Sequence, residues 1–537
     1  MGTRQTVVTP RLLFEPYGES PNNKTIPTNT LEGEKDIPAL CDPRLEHLRI
    51  SYWTSVPIGN TLASQAISLY LETDHPLLGL FEPSLFISDL VDQQDNFCSP
   101  VLVNALLYWA CQMYATIDHE AQKFASQFRV EAEFLWQVER KSDTIMNMAS
   151  AQLLSLAYIG QGRDHAVLAY LSEACHMGIR LGMFGVEDNE KADLEALTPA
   201  VQRACRYTSW GVFNWIVLIS LFYRQPGIAS LKNPPHFLPP GNEPAPEQHN
   251  YSSLASPDYM GLTFQHLCSF WSIMHEVVVV YYGNDTQPIG HNVSISFAEF
   301  KFRELLAWSN NLPPAFRWDE TSPHHVLILH MWFHSAVLDI FRPFVSGPLR
   351  NAASLRTFNS PNSSVKSVFD ASVSQLKRII ITYRSNYQSS SYTMLWQTAL
   401  FYVANTVLRT SNETEGDMFY FLLCLYGYEG LRSSWRMAEA IVEGLLSMKL
   451  RDGGISSIAA RRILNNVRKR DSARIPAEVR ATFMVDLDLA MLNPSLATAE
   501  VLASEFEHNI MLKDLTTVLD DGETETTPTQ HAQKNRS

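Results

Sequence analysis

Apolar residues recur at intervals of three and four along most of the chain, which is the spacing of an amphipathic helix. The pattern is strongest in residues 142–226, where three predicted helices follow one another. The first covers 145–157 and ends at a Gly-Gln-Gly turn, and the second covers 168–181 and contains small residues that allow another helix to approach closely. The third, at about 199–223, is apolar nearly all round in its later part, so it is predicted to be a central, buried helix.

The same helical period continues on both sides of this segment. No stretch shows the alternation of a strand, and no fixed repeat period appears, so the predicted fold class is all-α, a large multi-helix domain. The further predicted helices lie near 45–51, from residue 83, and at 61–72, 100–113, 118–139, 259–282, 297–310, 323–344, 365–386, 392–410, 417–428, 431–450, 456–470, 476–491 and 494–512.

Local composition divides the chain into two predicted helical lobes with polar segments around them. Residues 1–57 are rich in Pro, Asn, Thr and Glu, which predicts a mostly disordered leader. Residues 58–226 form the first lobe and 259–515 the second, while 227–258 is too rich in proline for helix or sheet and is predicted to be a connecting loop. Residues 516–537 are too polar to fold, so a disordered tail is expected.

Composition and charge narrow the functional classes. With 45% apolar and 11% aromatic residues the chain can bury a substantial core, which excludes global disorder. The formal net charge of −14 argues against the helical body being a DNA-binding surface, because such a surface needs a basic face. The most apolar segment, 212–223, is too short to cross a bilayer, and no membrane partner is expected. Seven cysteines, an odd number without any C-x-x-C pair, indicate a reduced intracellular protein.

The order of motifs within 142–226 resembles a known family. It consists of a QLLSL helix, a G-x-G turn, an A-x-x-x-[GC]-x-x-x-G-[IM]-R-L-G helix, then R-x-x-x-W-G-x-F and a Y-R-x-P ending. The residues that carry it are Gln152, Leu153, Tyr170, Ala174, Gly178, Ile179, Arg180, Leu181, Gly182, Arg203, Trp210, Phe213, Arg224 and Pro226. This order resembles the middle homology region, or regulatory domain, of fungal zinc binuclear cluster transcription factors, and the resemblance extends over roughly residues 45–515.

The resemblance implies a transcriptional regulator of a fungus, acting on a secondary-metabolite or nutrient-utilisation gene cluster and located in the nucleus and cytoplasm. In this family the helical body is expected to hold activation or DNA-binding segments in check. The implied partners are other transcription factors or a second copy of the chain, and the resemblance leaves room for a small-molecule effector. It implies neither a cofactor nor enzymatic activity.

One feature of the family is not found in the sequence. Its DNA-reading module needs six cysteines within about thirty residues, in paired C-x-x-C steps, because two zinc ions share thiolates. The seven cysteines here are spread from Cys41 to Cys424. Direct DNA binding is therefore expected only if a partner or a missed upstream segment supplies the cluster. Two hypotheses stay open, a truncated gene model and a clusterless partner that joins or titrates full-length relatives.

A basic run late in the chain is the candidate interaction site. It contains Arg461, Arg462, Arg468, Lys469 and Arg470, which could serve as a nuclear-import patch or contact phosphate groups. The simpler interpretation is a solvated helix face, with cations that favour the negative end of the helix dipole. We favour the simpler interpretation, since no base-reading motif accompanies the run.

Four histidines form the only metal-like histidine group in the sequence. His330 and His334 are four residues apart and share a helix face, with His324 and His325 preceding them and Asp339 as the nearest carboxylate. No glutamate occupies the position that a metalloprotease uses for catalysis. These residues are therefore interpreted as ordinary core or partly exposed helix histidines, and no metal is predicted.

Two further hypotheses concern small molecules. A pocket between the lobes, lined by Trp210, Trp215, Trp271 and Trp332, is suggested by the density of aromatic residues, although such residues more often belong to the core. The alternative function is an all-α enzyme of secondary metabolism. It has little support, because the Asp-Asp pair that metal-dependent terpene chemistry would need occurs only at 520–521, in the predicted tail.

Overall fold

The computed structural model describes residues 39–224, 231–241, 257–283, 293–319, 322–345, 355–356, 364–409, 415–468 and 481–508. The α-helices, numbered in chain order, are α1 (Asn60–Thr73), α2 (His75–Leu78), α3 (Pro83–Asp92), α4 (Pro100–Tyr114), α5 (Glu120–Glu139), α6 (Ile145–Gly160), α7 (Asp164–Arg180), α8 (Pro199–Tyr223), α9 (Thr263–Tyr282), α10 (Ile295–Asn310), α11 (His324–Val345), α12 (Val365–Asn386), α13 (Gln397–Leu408), α14 (Glu415–Arg432), α15 (Met437–Arg451), α16 (Ser457–Arg468), α17 (Leu489–Leu492) and α18 (499–508).

Short 3-10 helices connect some of these elements. They are Pro43–His47, Ile50–Tyr52, Asp188–Glu190, Asp258–Met260, Pro314–Phe316, Gln388–Ser391 and Pro494–Leu496. Between the described residues, pairing of extended backbone is limited to an isolated bridge that joins Met484 to Thr498. The predicted all-α fold class is confirmed.

Several helices begin where a polar side chain satisfies the free N–H groups of the first turn. The Ser99 hydroxyl accepts a hydrogen bond from the backbone N–H of Leu102 at 3.3 Å, and Pro100 occupies the first position of α4. At the start of α6 the Thr144 hydroxyl accepts from the N–H of Asn147 at 3.1 Å. These helix starts therefore follow from the local sequence alone.

Helix α8 is the central buried helix that its apolar pattern predicted. Nearly every side chain from Ala204 onward is buried, and the helix packs against α6, α7 and α9. A Cβ atom added at Gly211 would lie 2.7 Å from the carbonyl oxygens of Leu78 and Gly79. Glycine is therefore required where α8 crosses the end of α2, which explains the glycine of the W-G-x-F motif.

The small residue Gly178 on α7 makes room for a ring rather than for another helix. A Cβ atom at this position would lie 2.1 Å from the ring of Phe184, which follows α7 and folds back onto it. The chain can fold back because Gly182 adopts a φ of +67°, in the left-handed region that favours glycine.

The described helices share one hydrophobic cluster that extends from Leu45 to Phe506. It includes buried side chains from both predicted lobes, so apolar packing is continuous across the position of the proline-rich loop. The division into lobes at 227–258 stays a prediction. Among the helices of the described residues, none is both long and apolar enough to cross a bilayer.

All seven cysteines lie in the described residues and are free thiols, and all except Cys41 are buried. Burial raises the pKa of Cys111 and Cys268, so these thiols stay protonated at neutral pH. They behave as small apolar side chains, as their positions in helical runs predicted.

Residues 39–57 belong to the packed body, so the predicted end of the leader at residue 57 is too late. The 3-10 helices Pro43–His47 and Ile50–Tyr52 lie here, and the indole N–H of Trp53 donates to the carbonyl oxygen of Leu90 at 2.9 Å. The few apolar residues of this segment lack a regular period, which is why the pattern missed them. The predicted short helix near 45–51 overlaps the two 3-10 helices.

The other polar segments fall largely outside the described residues, including 1–38 of the leader and the tail at 516–537. Residues 231–241 of the predicted proline-rich loop are described and are not helical, as expected. Leu231 and Phe237 are buried, so this part of the loop is packed against the body.

The predicted helix at 476–491 is wrong over residues 481–488, and only its last described residues, 489–491, belong to a helix, the short α17. Residues 481–488 are not helical, because their backbone N–H groups have partners elsewhere in the chain. The N–H of Val485, for example, donates to the carbonyl oxygen of Ala497 at 2.7 Å. Apolar spacing alone did not reveal this competing backbone pairing.

Candidate functional site

Charged side chains meet between α8, α11, α13, α15 and the segment before α17, with a buried inner part and an outer part whose arginines are partly exposed. This group is called the central ionic network. Its members are Arg224, Asp339, Arg342, Tyr402, Arg409, Arg451, Asp486 and Asp488.

Arg224 directly follows α8 and connects this helix to the second half of the chain. It adopts a left-handed φ of 46°, which ends the helix and turns the side chain inward. Its guanidinium donates to Oδ1 of Asp339 and to the carbonyl oxygen of Leu487, both at 3.1 Å. Burial acts to lower the pKa of Arg224, but the nearby acidic groups, among them Tyr282 and Asp339, outweigh it and raise this pKa above its ordinary value.

Asp486 is the acidic centre of the outer part of the network. Its side chain is fully buried, and its two oxygens accept from Arg409 and Arg451, each at 2.6 Å. Burial acts to raise the pKa of Asp486. The N–H of Leu489 and the two guanidinium groups outweigh burial, so the pKa lies below its ordinary value. This carboxylate is ionised at neutral pH.

The chemistry of the network is that of structural ion pairing. Asp339 also accepts a hydrogen bond from the Tyr402 hydroxyl, and Arg342 pairs with Asp488 at 3.0 Å. Buried pairs of this kind add little net stability, since desolvation offsets the attraction, but losing one partner is costly. We infer that the network fixes how α8 sits against α11, α13 and α15.

The histidine group lies on the first half of α11, where the side chains bind different partners. His330 Nε2 is 2.7 Å from the carbonyl oxygen of Phe316, and His325 Nδ1 is 2.7 Å from the hydroxyl of Thr263. Burial, together with the neighbouring His330, lowers the pKa of His334 to about 3. Within the described residues, no group of three or more histidine, cysteine, aspartate or glutamate side chains is placed to hold a metal ion.

The four tryptophans of the predicted aromatic pocket are only partly brought together. Trp215 lines a cavity of about 30 Å³, and Trp271 with Trp332 lines a neighbouring cavity of about 20 Å³. Trp210 lines neither of them, and its indole N–H donates to the carbonyl oxygen of Phe237 at 3.1 Å. These volumes have room for one or two water molecules each, which is too little for a metabolite.

The candidate basic patch is described only in part. Arg461, Arg462 and Arg468 lie on α16, whereas Lys469 and Arg470 fall outside the described residues. Arg462 is exposed and Arg461 is half-buried. Whether the run acts in nuclear import or phosphate contact stays a prediction.

Arg468 is engaged within the protein. Its guanidinium pairs with Glu439 and Glu443 of α15, each at 2.6 Å. Burial raises the pKa of Glu443 to about 7, and the nearby Glu439 adds to this rise while Arg468 opposes it. Arg468 therefore docks α16 onto α15, and Arg462 is the described member of the run that is most open to a partner.

The sequence does not predict the central ionic network, although two of its residues belong to patterns that the sequence shows. Arg224 is part of the Y-R-x-P motif, and Asp339 is the carboxylate nearest to the histidine group. The available signal was an arginine and an aspartate inside long apolar helical runs, where an isolated charge would be very costly. Their pairing could not be read from a single sequence.

The chain was compared with families, known proteins and solved structures. No family model matches it, and no solved structure matches it significantly. It is 23% identical over 386 residues to the notoamide biosynthesis transcriptional activator notL' of Aspergillus versicolor, covering 70% of this chain and 60% of that protein.

Two further relatives carry similar names. The nitrogen assimilation transcription factor nirA of Emericella nidulans is 23% identical over 321 residues, which cover 55% of this chain and 35% of nirA. The nitrogen assimilation transcription factor nit-4 of Neurospora crassa is 22% identical over 323 residues, which cover 55% of this chain and 29% of nit-4. The matched region thus spans between about three tenths and three fifths of these relatives. The homologues of this chain are fungal transcription factors.

Proposed function

We propose that this protein is a fungal transcriptional regulator whose helical body acts by contacting other macromolecules. The observation that carries the proposal is the similarity of more than half of the chain to three fungal transcription factors. The fold supports it, because the charged residues in the interior bind one another in structural pairs. A role without catalysis follows from the same relatives, which are named as transcription factors.

The pathway is proposed from the names of the relatives. One is named for the biosynthesis of notoamide and two for nitrogen assimilation. A gene cluster for secondary metabolism or for nutrient use is therefore the proposed target, and the nucleus is the proposed site of action.

A tethering experiment tests the regulatory role. The full chain is fused to a heterologous DNA-binding domain in a filamentous fungus that carries a matched reporter gene. We expect reporter expression to rise or fall several-fold relative to the DNA-binding domain alone. Unchanged expression from both a silent and an active promoter, with the fusion present in the nucleus, would contradict the proposal.

The partner is proposed to be a second copy of this chain or another transcription factor that reads DNA. Light scattering of the purified chain reports self-association, and affinity purification from a fungal nuclear extract reports a DNA-reading partner. A monomer that co-purifies with no transcription factor would exclude this mode of action. It would leave the tethering result unaffected, because the fused domain supplies the DNA contact.

Nuclear import is the alternative function proposed for the basic run, beside the favoured interpretation as a solvated helix face. Replacing Arg462, Lys469 and Arg470 with glutamine should lower the ratio of nuclear to cytoplasmic fluorescence of a tagged chain. Arg468→Gln alone is the comparison variant, because Arg468 binds Glu439 and Glu443 instead of facing a partner. An unchanged ratio in the triple variant would identify these residues as a solvated surface.

A further inference from the structure

A polar cleft of about 250 Å³, called the arginine cleft, opens where α4 and α5 meet the turn after α6 and the turn at 433–436. Four of its lining residues are Arg129, Arg163, Arg432 and Arg436, and the others are glutamine, serine, tyrosine and alanine. Among the described residues, no carboxylate lines it. This concentration of positive charge is unexpected in a chain with a formal net charge of −14.

Two of the four arginines are held by carboxylates that lie outside the lining. Arg129 pairs with Glu133 at 3.0 Å, and Arg432 pairs with Glu439 at 3.3 Å. Arg432 also donates to the carbonyl oxygen of Val467 at 3.1 Å. These contacts hold the two guanidinium groups in place at the wall of the cleft.

Arg163 and Arg436, unlike the other two arginines, are not held by carboxylates. Both are exposed, and neither forms an ion pair with another residue in the described part of the chain. Burial raises the pKa of the Tyr108 hydroxyl, and the charges of Arg129, Arg163 and Arg436 all oppose this rise. Three guanidinium groups, one from α5 and two from the turns before α7 and α15, thus lie close enough to act on one buried hydroxyl.

The hydroxyl of Ser434 gives independent support for a ligand in the cleft. Its side chain lines the cleft and is 6% exposed, yet its hydroxyl has no hydrogen-bond partner among the described residues. Buried hydroxyl groups are normally hydrogen-bonded, because leaving one unsatisfied costs free energy. A group that enters the cleft could satisfy it.

The chemistry of the lining defines the class of ligand. The planar guanidinium group of arginine matches carboxylate and phosphate oxygens in pairs, and glutamine and serine suit hydroxyl or further oxyanion groups. Few apolar side chains line the cleft, so a ligand with a large hydrophobic body would not fit its chemistry. The volume lies just below the range of about 300–1,000 Å³ for small-molecule sites.

We propose that the arginine cleft binds a small oxyanion, namely a metabolite that carries carboxylate or phosphate groups and little apolar surface. Arg163 and Arg436 supply the free charges, and the Ser434 hydroxyl donates a hydrogen bond to the ligand. The binding proposal goes beyond the proposed function and does not depend on it.

A bound anion would join two distant parts of the chain. It would connect α4, α5 and the turn after α6 with the turn between α14 and α15, and would oppose the repulsion between arginines that face each other there. Any regulatory effect of joining these two parts of the chain rests on the proposed function. Binding itself can be measured on the purified protein without any transcriptional readout.

Thermal unfolding and calorimetric titration of the full chain test the proposal. Potassium phosphate and potassium citrate represent the two sources of oxyanion, and potassium chloride keeps the ionic strength constant. We expect at least one of the two oxyanions to raise the Tm saturably and to bind with one site, because ligand that binds the folded state stabilises it. The stronger of the two identifies phosphate or carboxylate chemistry.

Variants locate the site. Arg163→Gln and Arg436→Gln should each weaken binding about ten-fold or more, since each removes a charge-assisted contact. The control Arg462→Gln removes another exposed arginine, which lies on α16 outside the lining of the cleft, and should leave the affinity unchanged. Ser434→Ala should weaken binding several-fold while the Tm of the ligand-free protein stays the same or rises.

Three results would overturn the proposal. One is no saturable binding of either oxyanion, and another is equal affinity in the Arg163→Gln and Arg462→Gln variants. The third is tight binding of duplex DNA that is lost in both cleft variants, together with weak binding of the small anions, which would make the cleft a nucleic-acid contact. None of these results affects the tethering experiment, so the two proposals fail separately.

Discussion

The central ionic network and the arginine cleft use the same residue type for different purposes. In the network Arg224 is almost fully buried and meets Asp339, whose side chain is equally inaccessible. In the cleft Arg163 and Arg436 are exposed and face a carboxylate-free lining. An arginine that is paired with a buried carboxylate holds helices together, whereas an exposed arginine without an ion pair is the kind that we propose binds a ligand. Pairing with a buried carboxylate, more than residue identity, thus separates the structural arginines from those proposed to bind a ligand.

The largest effect is expected from breaking the network at its centre. Asp339→Asn keeps the shape of the side chain but removes the charge that balances Arg224 and Arg342. Leaving a buried guanidinium without its counterion should lower the free energy of unfolding by about 3–5 kcal/mol. Chemical denaturation followed by circular dichroism measures this. A loss below about 1 kcal/mol would contradict this and would mean that water and neighbouring groups solvate the guanidinium groups well enough without the carboxylate.

A smaller effect, dependent on pH, is expected at the outer part of the network. Asp486→Asn should lower the free energy of unfolding by about 2–3 kcal/mol at pH 7, because Arg409 and Arg451 lose their shared carboxylate. The pKa of Asp486 is lower in the folded chain than its ordinary value of 3.8. Its contribution is therefore present above pH 3.8 and is lost as the pH falls through the folded value.

The difference between the parent protein and the Asp486→Asn variant should accordingly shrink as the pH falls below about 4. Denaturation curves of both proteins at neutral pH and at the lowest pH where both stay folded provide the measurement. If the difference in the free energy of unfolding stays constant over this pH range, the carboxylate acts through shape and hydrogen bonding, with no contribution from charge.

The smallest effect on stability is expected in the arginine cleft. Arg163→Gln and Arg436→Gln should change the free energy of unfolding by less than about 0.5 kcal/mol, as for other exposed positions. The double variant should be unchanged or slightly more stable, because it removes repulsion between like charges. A decrease of several kcal/mol in the free energy of unfolding would show that both residues are structural, like the arginines of the network. The two regions would then not differ in this respect.

The turn that builds one wall of the cleft shows where reasoning from sequence failed. A continuous helix was predicted for 431–450, but α14 ends at Arg432 and α15 begins at Met437. The ring of Trp435 in this turn packs 4.5 Å from the ring of Trp109, and a Cβ atom at Gly160 would lie 2.2 Å from it. Leu431 and Trp435 are four residues apart, which is the spacing of a helix. The apolar pattern therefore did not reveal that the helix is interrupted here.

The helices from α6 to α8 show the opposite case. The starts of α6 and α8, the buried faces of all three helices and the Gly-Gln-Gly turn followed from apolar spacing and glycine positions. Helix α7 begins at Asp164, four residues before its predicted start. Each of these signals acts within a few residues, because backbone hydrogen bonds and side-chain faces repeat along the helix itself. The long segments with a regular pattern were therefore the most predictable part of the fold.

By itself the sequence determined the helical class, the buried character of α8 and a resemblance that the fungal relatives support in outline. Tertiary structure alone decided which charged residues find partners and which do not. Arg224 meets Asp339 across more than a hundred positions, and Arg163 reaches the same cleft as Arg436 across more than two hundred. Charge pairing depends on distances between helices that are remote in the chain, and no local pattern of side chains encodes those distances.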